Sequence, residues 1–590
     1  MNRISLRAAC AAFLLPAALS IVLLSCGDSG TTGPQTGDRP TVRITSPRDL
    51  DAIAGVFAVE ADIDTSVIRG NEIIRIEVVV DGTPVVVDSI PYPAAWNGDL
   101  SFSLDTEMLT EGAHSLLVRA TDLSLNRYNS ESISLTVRNQ IVFSQHIQPI
   151  FRATCAVSGC HDPATRQNEL NLRTYESILE GSQHGSVVVP GNAAKSPLMY
   201  FIDFTDDPNL RMPPPSQGPG LDKASISRIR KWIDDGLKND NGEEPFADVT
   251  DRIFNTNQGA DAISVIDRNT GLTVRVVPVG VDENSPEVPH FLITDNEDPA
   301  EHFYVTLITS GELWKFSATD YALLDKLDVG DQPAHVILTE DGSTAFVSNW
   351  VTEGGSSGTI QVVDAGSMSR IKAIDTGGSP HGMRITHEEP YTLFVGNSGT
   401  DNITVVDVAT LSFVKTFPLL RNQGESLNPL QVAIDREDRY AYVACHLSHE
   451  VQVFDVETHE VVKRIDLRRF EGDVVGPFQL EVSPALDLVV VANQLNSTVS
   501  IISTDSLAVV RTIENEDFAQ CHGVDISEDG QYAYITNENT DSEVPPHHPT
   551  ETGGNPGNVA FVNLTTFLVD RVVEVEEDPT GISITPGRGN

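Results

Sequence analysis

Basic residues are scarce in this chain. Its 590 residues hold 39 Lys and Arg against 84 Asp and Glu, a formal net charge of −45. A surface this acidic repels nucleic-acid phosphates and excludes a nucleic-acid partner. It favours cationic proteins or metal ions, and it equally suits a soluble surface in a salty exterior. Long apolar runs are lacking at the N-terminus too: Ala8 to Leu24 is too short and too poorly flanked for an ordinary spanning helix. With Arg3 and Arg7 ahead of it, that stretch reads as an export signal. Cysteine is rare, with six in all. Cys10 lies in the signal and Cys26 at its end, Cys155 and Cys160 are close together, and Cys445 and Cys521 are isolated. An exported chain meets an oxidising compartment, so a disulfide remains an alternative for any close pair. The length exceeds what one hydrophobic core supports, so several domains are expected.

The signal ends in Leu23-Leu24-Ser25-Cys26-Gly27. This resembles the bacterial lipobox, which implies removal of residues 1–25, lipidation of Cys26 and attachment to the cell envelope, on the periplasmic side or at the cell surface. An ordinary signal peptide with a chance cysteine is the plainer alternative. Residues 26–40, rich in Gly, Thr, Ser and Asp, read as a flexible tether.

Residues 41–139 read as short strands. The stretch from Ile73 runs through consecutive valines to Asp81-Gly82, a hairpin signal, and the runs His114–Asp122 and Ser132–Val137 complete the segment. The order resembles bacterial immunoglobulin-like domains, which implies a β-sandwich used as a spacer or binding module. No catalytic constellation occurs in it.

In residues 140–247 the periodicity becomes helical. Ile226, Ile229 and Ile233, with Trp232 beside them, form one apolar face, and Gly236 is a helix stop. The chemistry lies at Cys155-Ala-Val-Ser-Gly-Cys160-His161. Two cysteines can form thioethers to a haem and the adjacent histidine can ligate its iron, although four residues separate the cysteines where haem attachment ordinarily has two. A Cys155–Cys160 disulfide is the alternative, and it leaves His161 unexplained. Leu170-Asn-Leu, Val189-Pro-Gly191 and Arg211-Met212-Pro213-Pro214 follow in an order that resembles cytochrome c-like domains of exported bacterial proteins. The resemblance implies one covalent haem c, with His161 as proximal and Met212 as distal iron ligand. No second Cys-Cys-His cluster exists, so one haem is expected.

Residues 248–590 repeat. Ile253-Phe-Asn-Thr-Asn257, Ala345-Phe-Val-Ser-Asn349, Ala441-Tyr-Val-Ala-Cys445 and Ala533-Tyr-Ile-Thr-Asn537 are among seven copies spaced by 42 to 50 residues. Four short strands per copy indicate a β-propeller. The repeats resemble the YVTN β-propeller family, and the unpartnered strand at Thr580–Thr585 would complete the first copy, which gives seven blades. The fold class is thus multidomain and mainly β: sandwich, small helical haem domain and propeller.

Aligning the inner strands puts His290, His335, Gln431 and Gln479 in one column, with His381 and His522 one residue earlier. His290, His335 and His381 lie on three consecutive blades and could hold copper or zinc. Strand alternation, however, would turn His381 away from the other two, and Pro-His-Gly is a common entry into the inner strand of such repeats. Cys445-His446 and Cys521-His522 should share that face, as extra ligands or as packing residues, and His547-His548 fall in a loop.

Two functional classes follow. In the first, the chain transfers electrons through its haem to a redox partner protein of cationic surface, with the propeller binding the partner. In the second, it is a redox enzyme with a metal or cofactor at the propeller axis, served by the haem. A third, non-redox class is a surface scaffold or adhesion protein. Catalytic residues are not identified.

Overall fold

The computed structural model describes residues 41–585, except 54–55, 65–72, 90–98, 107–108, 110–111, 138–140, 204–209, 281–285, 351–356 and 546–554. The export signal, Cys26, the tether and the His547-His548 pair lie outside the described residues. Among those residues no helix is long and apolar enough to cross a membrane.

The N-terminal unit is a β-sandwich. One sheet pairs Thr41–Ser46, Val56–Asp64 and Asp99–Asp105; the other runs Ala52–Ile53, Ile133–Val137, Gly112–Asp122, Ile73–Val80 and Thr83–Ser89. Alternation makes the core: Phe57, Val59, Ala61 and Ile63 point inward from one strand and meet Ile76, Val78 and Val118 of the opposite sheet. Asp81 and Gly82 both have positive φ, 49° and 82°. A two-residue hairpin turn matching strand twist demands this of both positions.

The second unit is helical, with α1 (Gln148–Thr154), α2 (Tyr175–Leu179), α3 (Pro197–Asp203) and α4 (Lys223–Asp234). At the start of α4 the Asp222 carboxylate accepts the Ser225 N–H at 2.7 Å, as an N-cap should. At its end Gly236 takes φ +94°. The Gly236 N–H then donates to Ile233 O and the Leu237 N–H to Trp232 O, both at 3.0 Å, which closes the last carbonyls. Ile229, Trp232 and Ile233 are fully buried against Phe143 and Phe151. Removing an aromatic of this kind ordinarily costs about 3–5 kcal/mol.

The third unit is a seven-bladed propeller of four-stranded antiparallel sheets. Inner strands, nearest the axis, are Pro289–Thr294, Pro333–Leu338, Pro380–Ile385, Pro429–Ile434, Pro477–Val482, Cys521–Ile526 and Pro579–Ile584. The last of these pairs with Arg252–Asn257, setting Ile584 opposite Ile253, and so joins the chain's end to its first repeat. Joining them removes the sheet edge that an open ring would expose. The repeat asparagine has a local reason. It ends the second strand, and its buried amide pins the third: Asn397 Nδ2 donates to Thr404 Oγ1 and Asn493 Nδ2 to Ser500 Oγ, both at 2.9 Å. Cys445 takes this place in one blade and packs in the apolar core there.

The helical unit touches both neighbours. Ser227 Oγ donates to Val56 O at 2.6 Å on the sandwich side. Arg275 Nη1 donates to Pro190 O at 3.0 Å, and Lys195 pairs with Glu576 at 3.0 Å, on the propeller side.

Candidate functional site

Cys155 follows α1, its N–H donating to Phe151 O at 2.9 Å. The chain then turns: Cys160 N–H donates to Val157 O at 3.1 Å, and Gly159 has φ +87°. The wider spacing is therefore taken up in a tight turn at a position where glycine alone is unstrained. His161 N–H returns to Cys155 O at 3.2 Å, and Gln167 Nε2 holds the turn through Gly159 O at 2.8 Å. Cys155 is buried and Cys160 half-buried, and the two are separate thiols. Burial pushes the Cys155 thiol above its ordinary pKa and holds the His161 imidazole below 6.5. His161 Nδ1 is buried without a partner. Met212 packs against the same apolar core to which Cys155, Phe151 and Trp232 belong.

A second constellation occupies the propeller axis. His290, His335 and His381 are buried, and one ligating nitrogen from each lies within 4.8 Å of the others. Measured from the first residue of each inner strand, His290, His381 and His522 occupy the second position, while His335, Gln431 and Gln479 occupy the third. This corrects the expected column, in which His290 aligned with His335. It also corrects the expectation that His381 turns away. Every one of these inner strands shifts register against its neighbour near its start, as between Pro333 and Val336 and between Pro380 and Met383. A bulge breaks alternation, so second- and third-position side chains can both face the axis.

Packing fixes the rings. Phe291 stacks on His335 at 4.0 Å between centroids, and Phe478 lies 4.0 Å from His522. The His335 and His381 rings are 4.7 Å apart, and His290 is 5.8 Å from His522. Gly382 follows His381 because a Cβ there would sit 1.8 Å from Gln431 Oε1. The Pro-His-Gly entry is thus a close approach of neighbouring inner strands. Burial lowers the imidazole pKa of His290 to about 3 and of His381 to about 4, and holds His335 and His522 well below 6.5; a neighbouring imidazole adds to each of these shifts, and for His381 that neighbour is His446.

Residues missed in the sequence surround this layer. His290 Nδ1 bonds Gln258 Oε1 at 2.9 Å, and Gln258 Nε2 reaches Asp578 Oδ2 at 3.5 Å. His381 Nδ1 donates to Leu430 O at 2.9 Å. Glu538 lies 3.7 Å from His522 Nε2 and accepts from Gln494 Nε2 at 2.9 Å. Burial raises the Glu538 carboxyl to about 8 and that of Asp578 to about 6. A signal for several of them was available: Gln258, Trp350, Ser398, His446, Gln494 and Glu538 each directly follow a second strand, forming one column around the mouth. His446 shares the expected face, its ring 5.7 Å from Phe478. Cys521 Sγ bonds Asn537 Oδ1 at 3.2 Å, and both Cys445 and Cys521 are packing residues. On the other side of the layer lies a cavity of about 80 Å³ lined by His335, Gln431, Gln479, Glu481 and Asp525.

Family models match three segments. A Planctomycete cytochrome C model matches residues 158–216, which include Cys160, His161 and Met212 but not Cys155. A cytochrome D1 heme domain model matches residues 328–481, and a bacterial Ig domain model matches residues 40–118. No curated protein matches the chain. Among solved structures, a chain of Kuenenia stuttgartiensis hydrazine synthase is similar at 17% identity over 50% of this chain and 98% of that one, with a TM-score of 0.37. That score is too low for the likeness to bear on function.

Among the described residues, the cavity beside the axial layer does not fit a second haem. Its volume of about 80 Å³ is well below the roughly 300 Å³ at which cofactor pockets begin. A porphyrin also leaves iron only two opposite positions, whereas three imidazoles here surround one point.

Proposed function

We propose that this protein is an exported c-type cytochrome lipoprotein that transfers electrons through one haem. Cys155 and Cys160 hold the haem, and His161 and Met212 ligate its iron. The observation that carries this reading is His161, whose buried Nδ1 has no partner and which directly follows two unbridged cysteines. The residues fit the group: two thiols, a neutral imidazole, and a thioether against the core that also takes in Cys155. When bound, the haem supplies a one-electron couple. Burial keeps the imidazole unprotonated and able to donate a lone pair. Phe151, Leu172 and Trp232, all buried, exclude water and so favour the less charged, reduced state. His161 and Met212 would together ligate the iron, and such a pair would supply electron transfer rather than catalysis at iron.

Residues 1–25 are removed and Cys26 anchors the chain to the envelope through the tether 26–40. The sandwich 41–139 acts as spacer, 140–247 as haem domain, and the YVTN-type propeller 248–590 binds a redox partner whose cationic surface answers the net charge of −45. An enzyme served by the haem is a second reading, favoured by the convergence of His290, His335 and His381.

The test is an absorption spectrum of the exported protein, oxidised and reduced, with a pyridine haemochrome assay and a Cys155→Ala comparison. A reduced α-band that survives denaturation and shifts in the variant is expected. Protein without haem, from a host competent in cytochrome maturation, overturns the reading.

A further inference from the structure

The axial histidines lie in a layer walled by apolar rings, and their polar edges are arranged in a way that a plain core would not need. His290 spends Nδ1 on Gln258 and His381 spends Nδ1 on Leu430 O. A neutral imidazole that donates from Nδ1 carries its lone pair on Nε2. His335 is 2% exposed, and its Nε2 is buried with no partner. A buried polar nitrogen left unmatched is a cost that a plain core would avoid. One ligating nitrogen from each of His290, His335 and His381 lies within 4.8 Å of the other two.

We propose that His290, His335 and His381 hold a single copper- or zinc-class ion through their Nε2 atoms, with a further coordination position open. This site is independent of the haem reading. Imidazole nitrogen suits copper and zinc, and no thiolate contributes: both nearby cysteines are buried elsewhere in the packing. Zinc–nitrogen bonds of about 2.0–2.1 Å set ligand atoms about 3.4 Å apart, so the rings close by no more than about 1.4 Å. Small rotations within the stack supply that movement.

The surroundings answer the charge of such an ion. Gln258 links His290 to Asp578, an orienting partner of the kind that fixes a ligating tautomer. Glu538 is a buried carboxyl beside His522, and Asp578 is half-buried. A dication held by the imidazoles would favour the ionised forms of these two carboxyl groups, and they would in turn offset its charge. The open position takes a small ligand, water or a molecule of a few atoms, since the adjoining cavity of about 80 Å³ holds no more.

The experiment uses the full chain, stripped with chelator, dialysed with Cu(II) or Zn(II) singly and analysed for metal and iron per chain. The parent and Cys155→Ala should each retain one equivalent of copper or zinc beyond any haem iron. Copper-loaded protein should show nitrogen hyperfine coupling from imidazole in its electron paramagnetic resonance spectrum. His335→Gln and His381→Gln should each weaken retention at least tenfold, while His446→Gln keeps it. Retention of either metal on this pattern supports the site. Failure of the parent to retain either metal overturns it, as does a copper spectrum without nitrogen coupling. Undiminished retention in both glutamine variants at parental circular dichroism also overturns it. Cys155→Ala separates the two readings, because it removes one of the two haem-attaching thiols and leaves the axis untouched.

Discussion

Glu538 offers a quantitative check on the electrostatics of the axial layer. Burial raises its carboxyl from 4.5 to about 8, with Asp578 adding to the shift. Between those values the folded protein keeps a proton that the unfolded chain has lost. The folded state therefore binds more protons, and stability falls as pH rises from about 4.5 to about 8. From pH 5.5 to pH 7.5 this group alone withdraws about 2.5 kcal/mol. Glu538→Gln cannot titrate, and its amide oxygen can still accept from Gln494. The difference between parent and variant cancels the other groups, including the histidines, whose depressed pKa values act in the opposite direction. Hydrogen exchange of the inner strand Cys521–Ile526, corrected for intrinsic rates and run with chelator, isolates this part of the ring. Relative to Glu538→Gln, the parent should lose roughly seventyfold protection over that pH interval. A difference flat to within about 0.5 kcal/mol refutes the buried, protonated carboxyl. A bound dication nearby should abolish the slope by holding the carboxylate ionised.

Two further outcomes test the other parts of the molecule. Met212→Ala should lower the reduction potential of the haem and open a position to carbon monoxide, read as a shift in the reduced absorption band; no carbon monoxide response means that Met212 is not a ligand. Asn397→Ala removes the amide that pins Thr404 and Asn402 and should destabilise the propeller by about 1–3 kcal/mol in urea, whereas a change under about 0.5 kcal/mol would deny the repeat asparagine its structural role.

Much of the architecture was legible in residue order. The hairpin at Asp81-Gly82 and the helix ending at Gly236 rest on backbone conformations that these residue types favour, so local chemistry gave them away. The helix itself runs Lys223–Asp234, starting three residues before Ile226, the first residue of its apolar face, because Asp222 supplies the cap. The second-strand repeat also foretold the closing strand, since an unpaired edge at each end of the repeats has only the other to join. Cys155, Cys160, His161 and Met212, the residues proposed to hold haem, were singled out by type and spacing, and the structure adds the extent of their burial.

The axial site was legible only in part. Three histidines on consecutive blades were visible, but their convergence depends on register shifts at the start of each inner strand. Alternation is a rule for regular strands, and a bulge of one residue reverses it. Glu538 was marked only by its place after a second strand, and Asp578 gave no local sign, because an acidic residue in a loop is ordinarily solvated. Sequence alone determined the elements and their count, since propensity and period are properties of neighbouring residues. Only the tertiary structure decided what meets at the axis: closing the ring brings His290 to His522 across 232 positions of chain, and burial there gives each group its chemistry.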